Sequence, residues 1–484
     1  NHADSSACLI KDKKLIVAVE EERINRLKHY SGYPIESIKE CLKIANLNSE
    51  EITDVAFNTR PFSNLIPKGI FYLKNFSLKT NQSTKRFMNK VNIKKKLLKH
   101  FKISKEIKFH FIEHHLAHIA SAFYPSGFKK SNGLSIDGSG DFVTCAIAKC
   151  EDSKIKIIKK NFFPHSLGIF YHCITQFLGY LNYGDEYKVM GLAAYGKPKY
   201  FEKLKNSLFI ENSNELIKLN LKFFNHHKEN YKYIADEKLT IDQIYNGKFV
   251  ELFNEDLKDA KNKDEFLKDF ACSAQKVYEF FFKKILNKII SYNFSDKLVF
   301  SGGCALNSSA NKILTENKLL FDNVYINYAP GDNGGAIGAA LVVANKYENK
   351  IENLKTPYLG RKFENNEILQ TLNKFKYSKR ISYKFFQKDN ELYQQVSKLI
   401  SENKVIGWFQ DKMEFGPRAL GNRSILADPR NPNMKNIINS KIKRRESFRP
   451  FAPVVLKEKQ IEWFESDYVN QYMCSISQVR VEKR

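Results

Sequence analysis

The chain has 484 residues, of which 43% are hydrophobic and 27% are charged. This length and composition exclude intrinsic disorder and a small scaffold that depends on disulfides. The chain has 79 lysine and arginine residues and 53 acidic residues, which gives a net charge of +26. Such a charge suits binding to nucleic acid, to an anionic membrane surface or to phosphorylated metabolites. It is equally explained by a compositional bias with no functional meaning.

Three further features bear on location and partners. The longest apolar runs, such as residues 336–344, are too short and too glycine-rich to span a membrane, and the N-terminus lacks the pattern of a signal peptide. The eight cysteines form no CxxC pair, so we expect a reducing, cytoplasmic compartment and no membrane partner. The lysine-rich stretch 68–108 carries no nucleic-acid-binding signature, which disfavours nucleic acid as a partner.

The first part of the chain alternates short apolar runs with segments of helical spacing. Apolar residues 7–10 and 15–19 flank a polar turn and predict a β-hairpin, and residues 34–45 predict an amphipathic helix. The same criteria predict strands at 55–57, 108–112, 133–137, 142–149 and 156–160 and helices at 115–123 and 166–178. The lysine-rich segments 68–108 and 199–262 predict helical insertions.

The later part of the chain continues this alternation. The pattern predicts a long helix at 266–292, strands at 297–301 and 324–327 and a helix at 336–346. Such alternation indicates α/β layers with parallel strand pairing. We predict a first domain at residues 1–350, a linker at 351–362, and a second α/β domain at 363–484, whose clearest strand is 405–409.

A histidine pair is the first candidate for chemistry. His114 and His118 are four positions apart and share one face of the predicted helix, whereas His115 points elsewhere. Two imidazoles at this spacing can bind one metal ion, but a hydrogen-bonded structural pair is an equally good interpretation.

Three glycine-rich loops follow predicted strands, at residues 136–141, 301–307 and 328–335. Glycine lets backbone N–H groups approach a phosphate, and the N-terminus of a following helix favours anions. A plain tight turn explains each loop alone at least as well. Together with the histidine pair, the loops predict a nucleotide-binding cleft that holds a metal ion.

The second predicted domain carries a set of basic residues: Arg418, Arg423, Lys443, Arg445 and Arg449. Arginine presents a planar fork to phosphate, and lysine presents a point charge. The set suits a phosphorylated substrate, although ion pairing at the surface is the commoner role of clustered arginine.

Several longer motifs extend over the whole chain. They include VEEERINRLKH at 19–29, HHLAHIASAFYP at 114–125, EYKVMGLAAYGKP at 186–198, GGCALNSSAN at 302–311, FGPRALGNRSILADPR at 415–430 and KRRESFRPFAP at 443–453. In these motifs the chain resembles the ATP-dependent O-carbamoyltransferases of nodulation and antibiotic biosynthesis. The last two motifs are the most specific to that family.

The resemblance implies an α/β fold with two parts. The first is an actin/Hsp70-like (RNase H-like), two-lobed nucleotide-binding domain similar to tRNA threonylcarbamoyl transferase. The second is similar to threonylcarbamoyl-adenylate synthase. It implies that carbamoyl phosphate and ATP, with Mg²⁺, give carbamoyl-adenylate in the second domain, and that the first domain transfers the carbamoyl group to a hydroxyl of a small molecule or sugar. The oligomeric state stays open, a homodimer among the options.

The resemblance also implies roles for individual residues. A ferrous ion, with manganese or zinc as alternatives, is implied at a metal site formed by His114, His118, Asp137 and Asp332. Catalytic roles are implied for His2, Asp4, His114 and Asp137. Nucleotide binding is implied for Gly138, Gly140, Gly302, Gly303, Asn307, Asn311, Gly331 and Gly334. The five basic residues named above are implied to bind carbamoyl phosphate and its adenylate.

The chain departs from the family pattern at both ends. Family members begin with a strand before the position of His2 and continue beyond Arg484, so the resemblance implies an incomplete second domain. Two alternatives therefore stay open. One is a nucleotide- and metal-binding remnant without turnover, and the other is a tRNA-modifying enzyme of the threonylcarbamoyl type, which the net charge supports.

Overall fold

A computed structural model describes residues 3–74, 88–211, 213–228, 233–234, 239–259, 262–316, 320–347, 351–375 and 382–484. Helices and strands alternate along this chain, so the predicted α/β class is confirmed. His2 and part of both lysine-rich segments lie outside the described residues.

A hairpin and a parallel strand pair form the first lobe. Its strands are β1 (Ser6–Lys11), β2 (Lys14–Glu20), β3 (Asp54–Phe57) and β4 (Lys108–Phe111), of which β1 pairs antiparallel with β2 and β3 pairs parallel with β4. Its helices are α1 (Glu21–Asn25), α2 (Ile35–Ala45), α3 (Leu65–Lys74) and α4 (Ile93–His100). The next helix, α5 (His114–Ser126), packs on the five-stranded sheet of the second lobe. β1 and β3 face each other across an apolar cavity of about 840 Å³.

A five-stranded sheet forms the second lobe. Its strands are β5 (Lys130–Gly140), β6 (Val143–Glu151), β7 (Lys154–Phe162), β10 (Lys297–Ser301) and β11 (Asn323–Ile326), in the order β11-β10-β5-β6-β7. β11, β10 and β5 are parallel, and β5, β6 and β7 form an antiparallel meander. The predicted parallel pairing therefore holds for only part of the sheet.

Several helices follow in the chain, of which the first packs on β5, the last packs on β1, β3 and α5, and the others pack mainly on one another. They are α6 (Leu167–Phe177), α7 (Glu186–Leu192), α8 (Phe201–Leu208), α9 (Gly247–Asp259), α10 (Lys263–Ile290), α11 (Ser308–Glu316) and α12 (Gly334–Ala344). α10 buries apolar residues at helical spacing, among them Phe266, Phe270, Val277 and Phe281. Burial of each such side chain contributes about 1.5–3 kcal/mol, so α10 is a main support of the core.

The segment 199–262 differs from its predicted helical character. Its described residues contain α8 and α9, but also a short antiparallel ladder of β8 (Tyr233–Ile234) and β9 (Thr240–Ile241). The described part of this segment is therefore a mixture of helix and ladder rather than helical throughout.

The C-terminal segment, residues 351–484, packs on both lobes. In β2, the backbone N–H groups of Leu15 and Ala18 donate to the carbonyls of Glu352 and Leu359, and Lys188 of α7 pairs with Glu446. It contains α13 (Asn365–Lys374), α14 (Asp389–Ser401), β12 (Ile406–Phe409), β13 (Arg423–Leu426), α15 (Met434–Ile437) and α16 (Gln460–Trp463). β12 and β13 form an antiparallel pair, and the predicted strand at 405–409 is confirmed. Among the described helices, none is both long and apolar enough to cross a membrane.

Candidate metal and nucleotide site

Helix α5 presents the histidine pair from its first two turns. Nε2 of His114 lies 2.9 Å from Nε2 of His118, and both rings are buried. The helical spacing of four residues therefore brings both Nε2 atoms to one point, as the sequence predicts.

Two aspartates reach the same point from the ends of strands. Asp137 lies near the end of β5, and Asp332 lies in the loop between β11 and α12. His118 Nε2 is 2.9 Å from Asp137 Oδ2, and 3.4 Å from Asp332 Oδ1; His114 Nε2 is 3.4 Å from each of the same two oxygens. The four predicted metal ligands thus converge, with all donor atoms within 4.8 Å of one another.

The donor set fits a divalent cation. Asp332 Oδ1 is buried and lies among the other three donor atoms, 3.4 Å from the Nε2 atoms of both histidines. Burial lowers the pKa of His114, but hydrogen bonds to Asp137 and Asp332 outweigh it and raise the pKa to about 10. Burial raises the pKa of Asp137, but both histidines hold it well below its usual range. Two imidazoles and two carboxylates are suitable ligands for iron, manganese or zinc.

Glycines let the loops close around these ligands. Gly140 packs so tightly on the His114 ring that a Cβ there would overlap it. Gly302 has φ +91°, and a Cβ there would overlap the carbonyl of Ile136. A non-glycine residue would therefore separate the loop after β10 from the end of β5.

The other predicted nucleotide-binding glycines lie in the same three loops. A Cβ on Gly303 would crowd the Asp137 carboxylate, one on Gly334 would overlap the Ala329 carbonyl, and one on Gly138 would meet open space. Gly331 precedes Asp332 directly. The three loops therefore meet at the predicted metal ligands.

The side chains of the two predicted nucleotide-binding asparagines form hydrogen bonds with other residues of the protein. Asn307 exchanges hydrogen bonds with Gln275 and accepts one from Ala310 N at the start of α11. Asn311 is fully buried, and its amide donates to the carbonyls of Ala305 and Cys474, each at 2.7 Å. Both side chains thus shape the loop after β10.

Asp141 is a residue of this site that sequence reasoning leaves without a role. Its carboxylate accepts from the backbone N–H of His114, from Thr59 Oγ1 and from Lys90 Nζ. It thereby fixes the first turn of α5, which bears the ligands. His115 points away from the ligands, as predicted, and contacts Ser135 Oγ and the Val143 carbonyl.

Asp4 lies beside a second histidine that the sequence does not single out. Its Oδ1 is 2.7 Å from Nδ1 of His29, and Glu22 accepts from His29 N at 2.8 Å. Burial raises the pKa of Asp4, the contact with His29 lowers it, and the negative charge of Asp332 raises it further, with a net increase. Asp4 and Asp332 line the same cavity.

The structure separates the five basic residues into different places. Arg418 reaches the loop after β10, where its guanidinium lies 3.5 Å from the Leu306 carbonyl. Arg423 donates to backbone carbonyls of its own segment, including Gln410 and Asp411. Lys443, Arg445 and Arg449 lie close together. Arg445 donates a hydrogen bond to Asn439 Oδ1 and lies over the Phe451 ring. Arg449 lies over the Tyr187 ring and pairs with Glu446.

Comparison with known proteins gives concordant results. A model of the carbamoyltransferase N-terminus matches residues 1–341, and a model of the carbamoyltransferase C-terminus matches residues 397–484. An uncharacterized protein of Synechocystis is 36% identical over 502 residues, which cover 99% of this chain and 78% of that protein. The nodulation protein NolNO of Sinorhizobium fredii is 32% identical over 488 residues, which cover 99% of this chain and 67% of NolNO. Among solved structures, HypF in its phosphate- and nucleotide-bound form has a TM-score of 0.28 and 18% identity, over 51% of this chain and 37% of HypF.

Proposed function

Because the chain belongs to the carbamoyltransferase family, we propose that it transfers a carbamoyl group from carbamoyl phosphate, through a carbamoyl-adenylate made with Mg²⁺-ATP, to a hydroxyl of a small-molecule or sugar acceptor. The observation that carries this proposal is the convergence of His114, His118, Asp137 and Asp332 among three glycine-rich loops. That arrangement suits a nucleotide phosphate beside a divalent cation.

The four ligands would hold iron, with manganese or zinc as alternatives. A cation bound there supplies positive charge against the phosphate of the leaving AMP. Asp141 keeps α5 in place, so that both imidazoles stay aimed at one point. The loops at 138–140, 302–307 and 331–335 would surround the nucleotide.

The transfer step needs a proton acceptor. The acceptor oxygen forms a bond to the carbamoyl carbon, the bond from that carbon to the phosphate oxygen breaks, and AMP leaves with the electron pair. Asp4 would take the hydroxyl proton, since burial raises its pKa above the usual range of a carboxyl group. His2 is a second candidate that rests on the resemblance alone.

The adenylate-forming site would lie in the C-terminal segment. Lys443, Arg445 and Arg449 supply adjacent positive charge, which suits carbamoyl phosphate beside ATP. Arg449 is tied to Glu446, which also pairs with Lys188 of α7 at 3.2 Å. This ion-pair network connects the basic cluster to the second lobe.

The test is AMP release from ATP by the purified chain. The proposal expects AMP only when carbamoyl phosphate is present, with no further AMP from threonine and bicarbonate. AMP release that depends on threonine and bicarbonate would favour the tRNA-modifying alternative. Binding of ATP without release of pyrophosphate or AMP would favour the remnant without turnover, because adenylate formation releases pyrophosphate even when no acceptor is present.

A further inference from the structure

Glu20 connects segments that lie far apart in the sequence. It ends β2, it is 3% exposed, and both of its carboxylate oxygens are used. Oε1 accepts from Asn333 Nδ2 at 2.8 Å and from Gly416 N at 3.1 Å, residues that are 313 and 396 positions away. One buried oxygen thus holds the loop before α12 and the loop 414–418 of the C-terminal segment together.

Arg23 completes this junction. Its Nε donates to Oε2 of Glu20 at 2.9 Å, and its Nη2 donates to the Gly416 carbonyl at 2.7 Å. Glu20 and Arg23 therefore bind both backbone groups of Gly416. Gly416 has φ +114°, and a Cβ there would overlap the Tyr328 carbonyl, so only glycine lets the loop lie this close to β11.

Asn333 is the point at which this junction reaches the candidate metal site. It follows Asp332 directly, its side-chain oxygen accepts from Gly334 N, and its carbonyl accepts from Ser6 Oγ. Glu20 holds the remaining end of this side chain. The backbone of Asp332 is thus fixed from the first lobe, from α12 and, through Glu20, from the C-terminal segment.

We propose that Glu20 is a positioning residue that couples the docking of loop 414–418 to the geometry of Asp332, so that the C-terminal segment completes the metal site of the first domain. The inference rests on the proposed function, in which Asp332 is a metal ligand. It extends that function, because it makes the two reaction centres structurally dependent on each other.

The test is titration of the metal-free chain with Co²⁺, followed by its visible absorption. Glu20→Gln keeps the size of the side chain but places an amide against Arg23, so we expect Co²⁺ to bind about tenfold more weakly, the usual cost of losing a partner behind a ligand. Gly416→Ala disturbs the same junction from the other side and should weaken Co²⁺ binding similarly. The double variant should bind Co²⁺ no more weakly than either single variant, because all three variants lose the same junction.

Asp428→Asn is the matched control. Asp428 is 5% exposed and accepts hydrogen bonds from the backbone N–H and the guanidinium of Arg430, and no described hydrogen bond joins it to Glu20, Arg23 or loop 414–418. It should lower the melting temperature without changing the Co²⁺ titration. Equal Co²⁺ affinity of Glu20→Gln and the unchanged chain would overturn the inference and leave the proposed function intact. Failure of the unchanged chain to bind Co²⁺ would overturn both.

Discussion

At the scale of single residues, the candidate site depends on the direction of four side chains. His114 and His118 aim Nε2 at the two carboxylates, whereas His115 between them is held by Ser135 and Val143 on the opposite side. The pKa of His115 is lowered to about 3 by burial, and then by the charge of His114 and His118, so this imidazole is neutral. Within one turn of α5, two histidines therefore face the predicted metal site and the third has a structural role.

His118→Ala tests the ligand assignment. It removes one of four donors and leaves Asp137 without its closest imidazole partner, so we expect Co²⁺ affinity to fall at least about a hundredfold. His110→Gln is the control, because His110 pairs with Asp54 on the neighbouring strands at 2.7 Å. Equal losses in the two variants would contradict the assignment.

The pKa of His114 predicts how metal affinity depends on pH. Asp137 and Asp332 raise this pKa to about 10, so His114 carries a proton at neutral pH in the metal-free chain. Metal binding must release that proton, and apparent affinity should rise with pH, by up to about tenfold per unit for one released proton. Dissociation constants of Mn²⁺ at pH 6.5, 7.5 and 8.5 would show this slope, and a constant affinity would contradict it.

At the scale of secondary structure elements, strong periodicity makes many bounds predictable. The hairpin β1–β2, the helix α5 and the strand β10 lie where the apolar pattern places them. Contacts such as that of Glu20 with Gly416 are not predictable, because they join residues 396 positions apart through backbone groups that leave no sequence pattern. The positions of the five basic residues are likewise not predictable from their charge, because Arg418, Arg423 and Arg449 contact different parts of the protein.

The close packing of α5 against α12 gives a prediction about stability. A Cβ on Gly338 of α12 would overlap the Ala117 carbonyl of α5, which lies between the two histidine ligands in sequence. Gly338→Ala should therefore separate the helices and destabilise the protein by about 1–3 kcal/mol. Gly69→Ala is the control, because Gly69 of α3 has open space around it and alanine favours a helix. Urea unfolding distinguishes the two, and a stabilising Gly338→Ala would contradict the packing argument.

At the scale of the whole molecule, the C-terminal segment contacts both lobes at several places, two of which bear on the candidate site. One is the junction at Gly416, and the other is the stretch 472–475, where Cys474 approaches Asn327 and Ser475 lies 2.8 Å from Thr315. Both places contact loops that also carry predicted site residues. The arrangement thus makes the stability of the site loops depend on the C-terminal segment.

Asn311→Ala tests this dependence. The amide of Asn311 joins the Ala305 carbonyl in the loop after β10 to the Cys474 carbonyl, and its removal leaves two buried acceptors without that donor. We expect a loss of about 1–3 kcal/mol and faster cleavage of the stretch 464–484 in limited proteolysis. Asn345→Ala is the control, because the one side-chain hydrogen bond of Asn345 within the described residues goes to Leu341 in its own helix, so the substitution should change stability by less than about 0.5 kcal/mol. Faster cleavage of this stretch in both variants, or in neither, would contradict a specific attachment through Asn311.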